Sequence, residues 1–316
     1  MKFRTEVEIP NSQVKIGVED HVFSIGSCFA TEMSDLLKKG QIQTLNNPFG
    51  TLFNPFSINK ALKKIHNADY YEEGNLISYS EEFISLDHHS SFNSRFLHQI
   101  LDKINFQIET ANQFLRNTNW VIITYGTSFI YEFLPNKKLV ANCHKIPGKY
   151  FEKRLLNHLE LTDSIYETVT NLQDICKDDV QILFTVSPVR HTKDGIVENT
   201  LSKSKLITAI HEILPQFENC HYLPIFELMN DDLRDYRFYD EDLIHPNSQA
   251  IQYIWEKFGN AYFSIDTQDF IMENFKIAKA LEHKTIDDKN PKYLEFQQNL
   301  KNKIASQQSK VKHKIF

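Results

Sequence analysis

Val22-Phe23-Ser24-Ile25-Gly26-Ser27-Cys28-Phe29-Ala30 reads as a short apolar strand that stops at a glycine and opens into a helix. Val22 to Ile25 has the length and apolar character of a buried strand. Thr31 to Lys39 then carries Met33, Leu36 and Leu37 on one side, with Gly40 as a stop. Two nucleophiles, the Ser27 hydroxyl and the Cys28 thiol, therefore sit at a strand-to-helix turn. A helix N-terminus lowers the pKa of a thiol and offers backbone donors to an oxyanion, so this turn predicts an enzyme that works by nucleophilic attack.

Outward from this turn the same alternation recurs. Trp120 to Thr124 and Gln181 to Val186 are further buried strands, closing near Gly126 and at Ser187-Pro188, and a short strand is expected around His221 to Pro224. Helical patterns occupy Ile58 to His66, Leu97 to Arg116, Leu159 to Cys176 and Ser248 to Phe258. A polar stretch from Val189 to Ser204 leads into another helix ending at Leu214, and Lys203 and Lys205 are expected on a solvated helix face. Strands alternating with helices predict a parallel sheet flanked by helices, a three-layer α/β sandwich. Residues 67–96 read as irregular or short-stranded and residues 130–150 as a hairpin. Residues 1–265 are expected to form this domain. Residues 266–316 are expected to add a C-terminal helical extension, with helix from Pro291 to Lys314 that is a surface helix, partly disordered or a self-association element.

The chain has 316 residues, 41% of them hydrophobic and 24% charged, which suits one large α/β domain with terminal additions. A net charge of -6 gives no electrostatic reason to bind nucleic acid or an anionic membrane. Cys28, Cys143, Cys176 and Cys220 include no C-x-x-C pair, so they read as free thiols in a reducing compartment. Met1 to Pro10 has no apolar signal-like region and no run of about 18 apolar residues occurs, which makes the cytoplasm the expected location. Nothing in the sequence sets an oligomeric state.

A second motif, Asp240-Glu241-Asp242-Leu243-Ile244-His245-Pro246-Asn247, precedes the last core helix. A carboxylate three residues before a histidine can accept the imidazole Nδ1–H and leave Nε2 free as a base. Pro246 is expected in the first turn of the following helix, where its missing donor costs nothing. Gly-Ser-Cys and Asp-x-x-His are each weak signals. In this order and on these elements they describe the two halves of a nucleophile-base-orienter triad.

Gly26-Ser27-Cys28-Phe29-Ala30, Asn47-Pro48-Phe49-Gly50-Thr51, Tyr125-Gly126-Thr127-Ser128, Asn142-Cys143-His144-Lys145 and Ser187-Pro188-Val189-Arg190 together resemble the GSCFA domain family, grouped with the SGNH, or GDSL-like, hydrolases. The resemblance covers roughly residues 15 to 262. It implies an ester hydrolase, an esterase or O-acetylesterase on a small-molecule or carbohydrate ester, that requires no cofactor. By motif, the wider group's nucleophilic serine falls on Cys28 and its aspartate on Ser27. The oxyanion glycine falls on Gly50, with Asn47 shortly before it. The Gly-x-Asn block falls on Gly126-Thr127-Ser128 and lacks its asparagine, a loss of about 100- to 1000-fold in rate unless Thr127, Ser128 or another donor substitutes. Asp242, His245 and Pro246 keep the Asp-x-x-His-Pro block intact. Alignment favours Cys28 as nucleophile and leaves Ser27 as the alternative, reached by a one-residue shift. The Ser27 and Cys28 amides and the Gly50 N–H are the expected oxyanion donors.

Other polar clusters have plainer explanations. Asp87-His88-His89 has the appearance of a metal motif, but adjacent histidines on a strand point to opposite faces, so no metal is expected. His88 or His89 is instead expected to line the pocket or brace loops. Asn142 and His144, at the hairpin end, either reach substrate or face solvent. Arg190 follows a strand end, where it could bind an anionic or hydroxylated group or form a surface salt bridge. Two rival functions remain open: a binding protein that keeps the pocket without turnover, and a thiol-dependent acyl- or peptide-processing enzyme that needs Cys28.

Overall fold

The computed structural model describes residues 4–282 and 290–316. In chain order, β1 (His21–Gly26) leads into α1 (Cys28–Lys39) and β2 (Gln43–Asn46), then α2 (Pro55–His66). A small hairpin of β3 (Ile77–Tyr79) and β4 (Glu82–Ile84) precedes α3 (Leu97–Leu115) and β5 (Trp120–Tyr125). Next come β6 (Phe129–Phe133), β7 (Lys138–Val140) and β8 (Phe151–Leu155), then α4 (His158–Ile175) and β9 (Gln181–Val186). The rest comprises α5 (Ile196–Ile213), β10 (Cys220–Tyr222), the single turn α6 (Ile225–Glu227), α7 (Ser248–Tyr262), α8 (Ile265–Leu281) and α9 (Pro291–Gln308).

The main sheet is parallel, in the order β10-β9-β5-β1-β2. Both of its faces are buried, which is why its strands read as apolar runs rather than as alternating ones. Successive side chains still separate by face: Phe23, Val121 and Ile182 join the core under α2 to α5, whereas Val22, Ile122 and Leu183 join the core under α1, α7 and α8. The register Phe23↔Val121↔Ile182 stacks the first set into one row. This is the three-layer α/β sandwich the strand-helix alternation predicts.

Several elements depart from that reading. The edge strand β2 has no apolar run to announce it, since Gln43-Thr44-Leu45-Asn46 is mostly polar. The hairpin expected at 130–150 gains a third strand, β8, on the far side of β6. Pro246 precedes the helix rather than entering its first turn, because Asn247 is the cap and accepts the Ala250 N–H at 3.1 Å. Most consequential, α5 begins at Ile196, so much of the stretch from Val189 to Ser204 is helix.

The C-terminal region packs onto the sandwich. Asn274 of α8 donates to the Gly40 carbonyl at 2.9 Å, closing the end of α1. A Cβ at Gly40 would lie 2.9 Å from Ile271, so α8 approaches as near as that glycine allows. Past α9, Val311 and Ile315 are buried in the same cluster as Phe29, Met33 and Leu37. The helix of the tail ends at Gln308 rather than Lys314. The disorder expected for part of this region, so far as it concerns residues 283–289, lies outside the described residues.

Candidate active site

The order of the sheet explains where a site can form. After β1 the chain steps outward to β2, then returns to the other side at β5, and the carboxyl ends at such a reversal open a crevice that the connecting loops do not fill. Gly26, paired with Thr124 of β5, is the last residue of β1 at that point. Its φ of +143° places a hypothetical Cβ 2.2 Å from the Thr124 carbonyl oxygen, so only glycine lets the chain turn here. Asn47 braces the turn, accepting the Gly26 N–H at 2.8 Å and donating to the Thr31 hydroxyl at 3.2 Å.

This turn separates the two candidate nucleophiles. Ser27 occupies the N-cap of α1 and is 1% exposed; its hydroxyl makes no capping bond and has no hydrogen-bond partner among the described residues. Cys28, the first helical residue, lines a cavity of about 360 Å³ together with Phe29, Glu32, Val189, His245 and Pro246. Phe29, Met33 and Leu37 anchor the helix in the core below, each contributing about 1.5–3 kcal/mol by burial.

His245 reaches the same cavity from the loop before α7. Its Nδ1 is 2.6 Å from Asp242 Oδ2, while Asp242 Oδ1 accepts the N–H groups of Ile244 at 2.8 Å and His245 at 3.0 Å. The His245 backbone and side-chain hydrogen bonds and the Ile244 amide hold the Asp242 carboxyl down at about 2. Leu243, between them, has φ of +59°, an uncommon conformation for a leucine that folds the carboxylate back over the histidine. Arg190 secures the loop: its guanidinium donates to the Tyr239 hydroxyl at 2.8 Å and the Leu243 carbonyl at 3.3 Å, and lies 4.1 Å over the Tyr239 ring. Among the described residues it pairs with no carboxylate, so it does not form the surface salt bridge considered above.

The oxyanion assignments change. Ser27 N–H donates to the Thr124 carbonyl at 3.0 Å and Gly50 N–H to the Asn47 carbonyl at 2.7 Å, so both are engaged within the fold. The Thr127 hydroxyl is 2.9 Å from Ser202 Oγ, and Ser128 shares the same Ser202, so neither replaces the missing asparagine. The amides of Cys28 and Phe29, first-turn donors with no intrahelical acceptor, act on the Cys28 sulfur itself. The thiol differs from expectation as well. Burial pushes it up from its ordinary value, and the Phe29 and Cys28 amides and the charge of Lys203 offset only part of that.

Residues 21–258 match the GSCFA family. The chain belongs to that family. No curated protein matches it. Among solved structures, a DUF4886 family protein from Bacteroides uniformis is 11% identical, with a TM-score of 0.40, over 91% of this chain and 95% of its own. A carbohydrate esterase family 2 enzyme with a carbohydrate-binding domain, from Corynascus thermopiles (Myceliophthora fergusii), is 10% identical, with a TM-score of 0.39, over 80% of this chain and 67% of its own.

In this GSCFA protein the remaining polar residues of the motifs support loops. Asp87, His88 and His89 lie in a turn, not on a strand. His88 is buried, stacked 4.1 Å from Phe49, with Nδ1 2.7 Å from the Ser85 hydroxyl. The His89 N–H donates to the Phe49 carbonyl at 2.9 Å, and the His89 Cβ lies 2.3 Å from where a side chain on Gly50 would start. Asn142 accepts the His144 N–H at 2.9 Å, and His144 Nε2 is 2.7 Å from the Ser85 carbonyl. None of these four lines the cavity of Cys28 and His245. Among the described residues no group of three His, Cys, Asp or Glu side chains is arranged to hold a metal, and no helix is long and apolar enough to cross a membrane.

Two residues near the site escaped the sequence reading. Lys203, expected in solvent, is 1% exposed; its Nζ donates to the carbonyls of Gly126 at 2.6 Å and Ser187 at 2.7 Å. The correction follows from α5, whose first turns are inverted. Asn199, Ser202 and Lys203 are buried, while Ile196, Val197 and Leu201 are 57%, 76% and 48% exposed. His191 is the other, with its ring edge-on to Phe53 and its backbone N–H on Asn199. Burial and then the Lys203 charge push it down to about 4, which keeps it neutral. Its position directly after Arg190, in the loop that follows β9, was the available signal.

Proposed function

We propose that this GSCFA protein is a thiol-based acyl hydrolase acting on esters. The observation that carries the reading is the Asp242-His245 pair, joined at 2.6 Å and sharing one cavity with Cys28. His245 Nε2 takes the thiol proton as the sulfur attacks the ester carbonyl, and Asp242 keeps the imidazole in the required tautomer. In this reading the first-turn amides of Cys28 and Phe29 are the donors for the oxyanion. Collapse breaks the C–O bond, the departing alkoxide takes the proton from His245, and the acyl group remains on sulfur. A water molecule deprotonated by His245 then attacks the thioester, releasing the acid and restoring the thiol. Ser27 is the weaker nucleophile because its hydroxyl is buried outside this cavity.

The acyl group is small and the carrier hydroxylated in this reading, as in an O-acetylated carbohydrate. A cavity of about 360 Å³ suits an acyl group with part of a sugar ring, and Glu32, Asp240 and Ser248 offer polar partners at its wall. The test is hydrolysis of chromogenic acetate and butyrate esters by the wild type, Cys28→Ala, Ser27→Ala and His245→Ala. Activity that survives Cys28→Ala, or is unchanged in His245→Ala, overturns the reading. A pocket that binds acylated ligands without turnover is favoured by one observation, the engagement of the Ser27 and Gly50 amides elsewhere. Binding of an acetylated sugar with no hydrolysis by the wild type would select it.

A further inference from the structure

We propose that Lys203 is a positioning residue for the nucleophile, the buried cation that faces Cys28 and holds its sulfur as a thiolate once the proton has left. This rests on the reading of Cys28 as the attacking group. The geometry begins with the sheet. Gly26 pairs with Thr124 at the carboxyl end of the sheet, and Cys28 and Gly126 each lie two residues beyond that pair, where the chain leaves the same sheet edge. Lys203 Nζ is tied to the Gly126 carbonyl at 2.6 Å and to the Ser187 carbonyl at 2.7 Å, which brings the amine to the same sheet edge.

A structural role alone does not call for lysine here. Two carbonyls can be satisfied by a neutral amide, whereas burying an ammonium ion carries a desolvation penalty of several kcal/mol unless an anion balances it. Among the described residues no carboxylate pairs with Lys203, and the acidic group whose field reaches it is the Cys28 thiol. The other charged and titratable groups around the pair are accounted for. Glu32 on α1 opposes ionisation of Cys28. His191 is held neutral by burial and by Lys203, with Asp194, Lys153 and His245 acting on it from the surrounding elements. Burial brings the Lys203 ammonium down to about 7 and the sulfur pulls it back up, so formation of the thiolate favours the charged amine.

The proton step balances without a further reactant. The Sγ–H bond breaks, the proton passes to His245 Nε2, and the electron pair left on sulfur faces the Lys203 ammonium. The inner face of α5 is polar because it supplies this cation and secures it through Asn199 and Ser202, which bond the His191 amide and the Ser128 amide.

The test reads the thiol directly and needs no ester substrate, so its outcome is separate from that of the hydrolase assignment. The rate of Cys28 alkylation by iodoacetamide is followed against pH in the wild type, Lys203→Met and Lys203→Gln, each on a background in which the other three cysteines are serine. Gln keeps the hydrogen-bond donors but not the charge. The expected result is a titration displaced to higher pH, with alkylation about tenfold slower on its rising limb in both variants. An unchanged profile in either folded variant overturns the proposal.

A second comparison leaves Lys203 in place. Cys28→Asp should have a higher Tm than Cys28→Asn near neutral pH, and the gap should shrink at alkaline pH as Lys203 loses its charge. A helix dipole alone would keep the gap constant. Equal Tm values at neutral pH, or a gap that does not change, would also sink the assignment.

Discussion

The two halves of the site are built in opposite ways. Cys28 follows the interior strand β1, with a packed sheet beneath it and with every neighbour of the turn fixed by long-range contacts: Thr124, Asn47, and the carbonyls that hold Lys203. Asp242 and His245 stand on an exposed loop and make their bond within three residues of each other. Their ionisation follows suit, since burial dominates the thiol and pushes it up, whereas local hydrogen bonds dominate Asp242 and pull it down. A protein site can therefore place its base by local turn geometry while its nucleophile depends on the whole fold.

The largest test of this contrast is activity. Cys28→Ala and His245→Ala should each reduce ester hydrolysis to background, a fall of at least about 10⁴-fold in kcat/KM. Asp242→Asn should cost between about 10² and 10⁴-fold with little change in Tm, because the loop is exposed and the damage is to the tautomer. On the buried side the loss should instead appear as instability. Gly26→Ala, forced against the Thr124 carbonyl, should lower the unfolding free energy by about 4 kcal/mol in a denaturant titration. Ser27→Ala should change stability by under about 0.5 kcal/mol, since the hydroxyl it removes has no partner among the described residues.

The smallest effect is electrostatic. Asp242 has a folded pKa of about 2, below its unfolded value of about 3.9, so its contribution to stability is complete above the unfolded value and disappears as pH falls through about 2. The Asp242 carboxyl signal in a ¹³C NMR titration should therefore remain that of a carboxylate at pH 4. A midpoint near 4 would show that the loop does not hold the pair as described.

Much of the architecture was readable in the chain because buried parallel strands leave continuous apolar runs. Val22 to Ile25, Trp120 to Thr124 and Gln181 to Val186 all became core strands. The polar edge strand β2 left no such trace. The inverted first turns of α5 misled for a related reason: apolar periodicity locates a face that meets hydrocarbon, but Asn199, Ser202 and Lys203 meet strand-end carbonyls and amides instead.

By itself the sequence determined the strand-Gly-helix turn and the Asp242-His245 pair, because both follow from interactions between near neighbours. Tertiary structure alone decided that Ser27 turns inward while Cys28 meets the cavity, that the Ser27 and Gly50 amides are taken by carbonyls, and that Lys203 is buried. Each of those outcomes depends on which backbone groups distant segments bring to one sheet edge, and no local spacing encodes that.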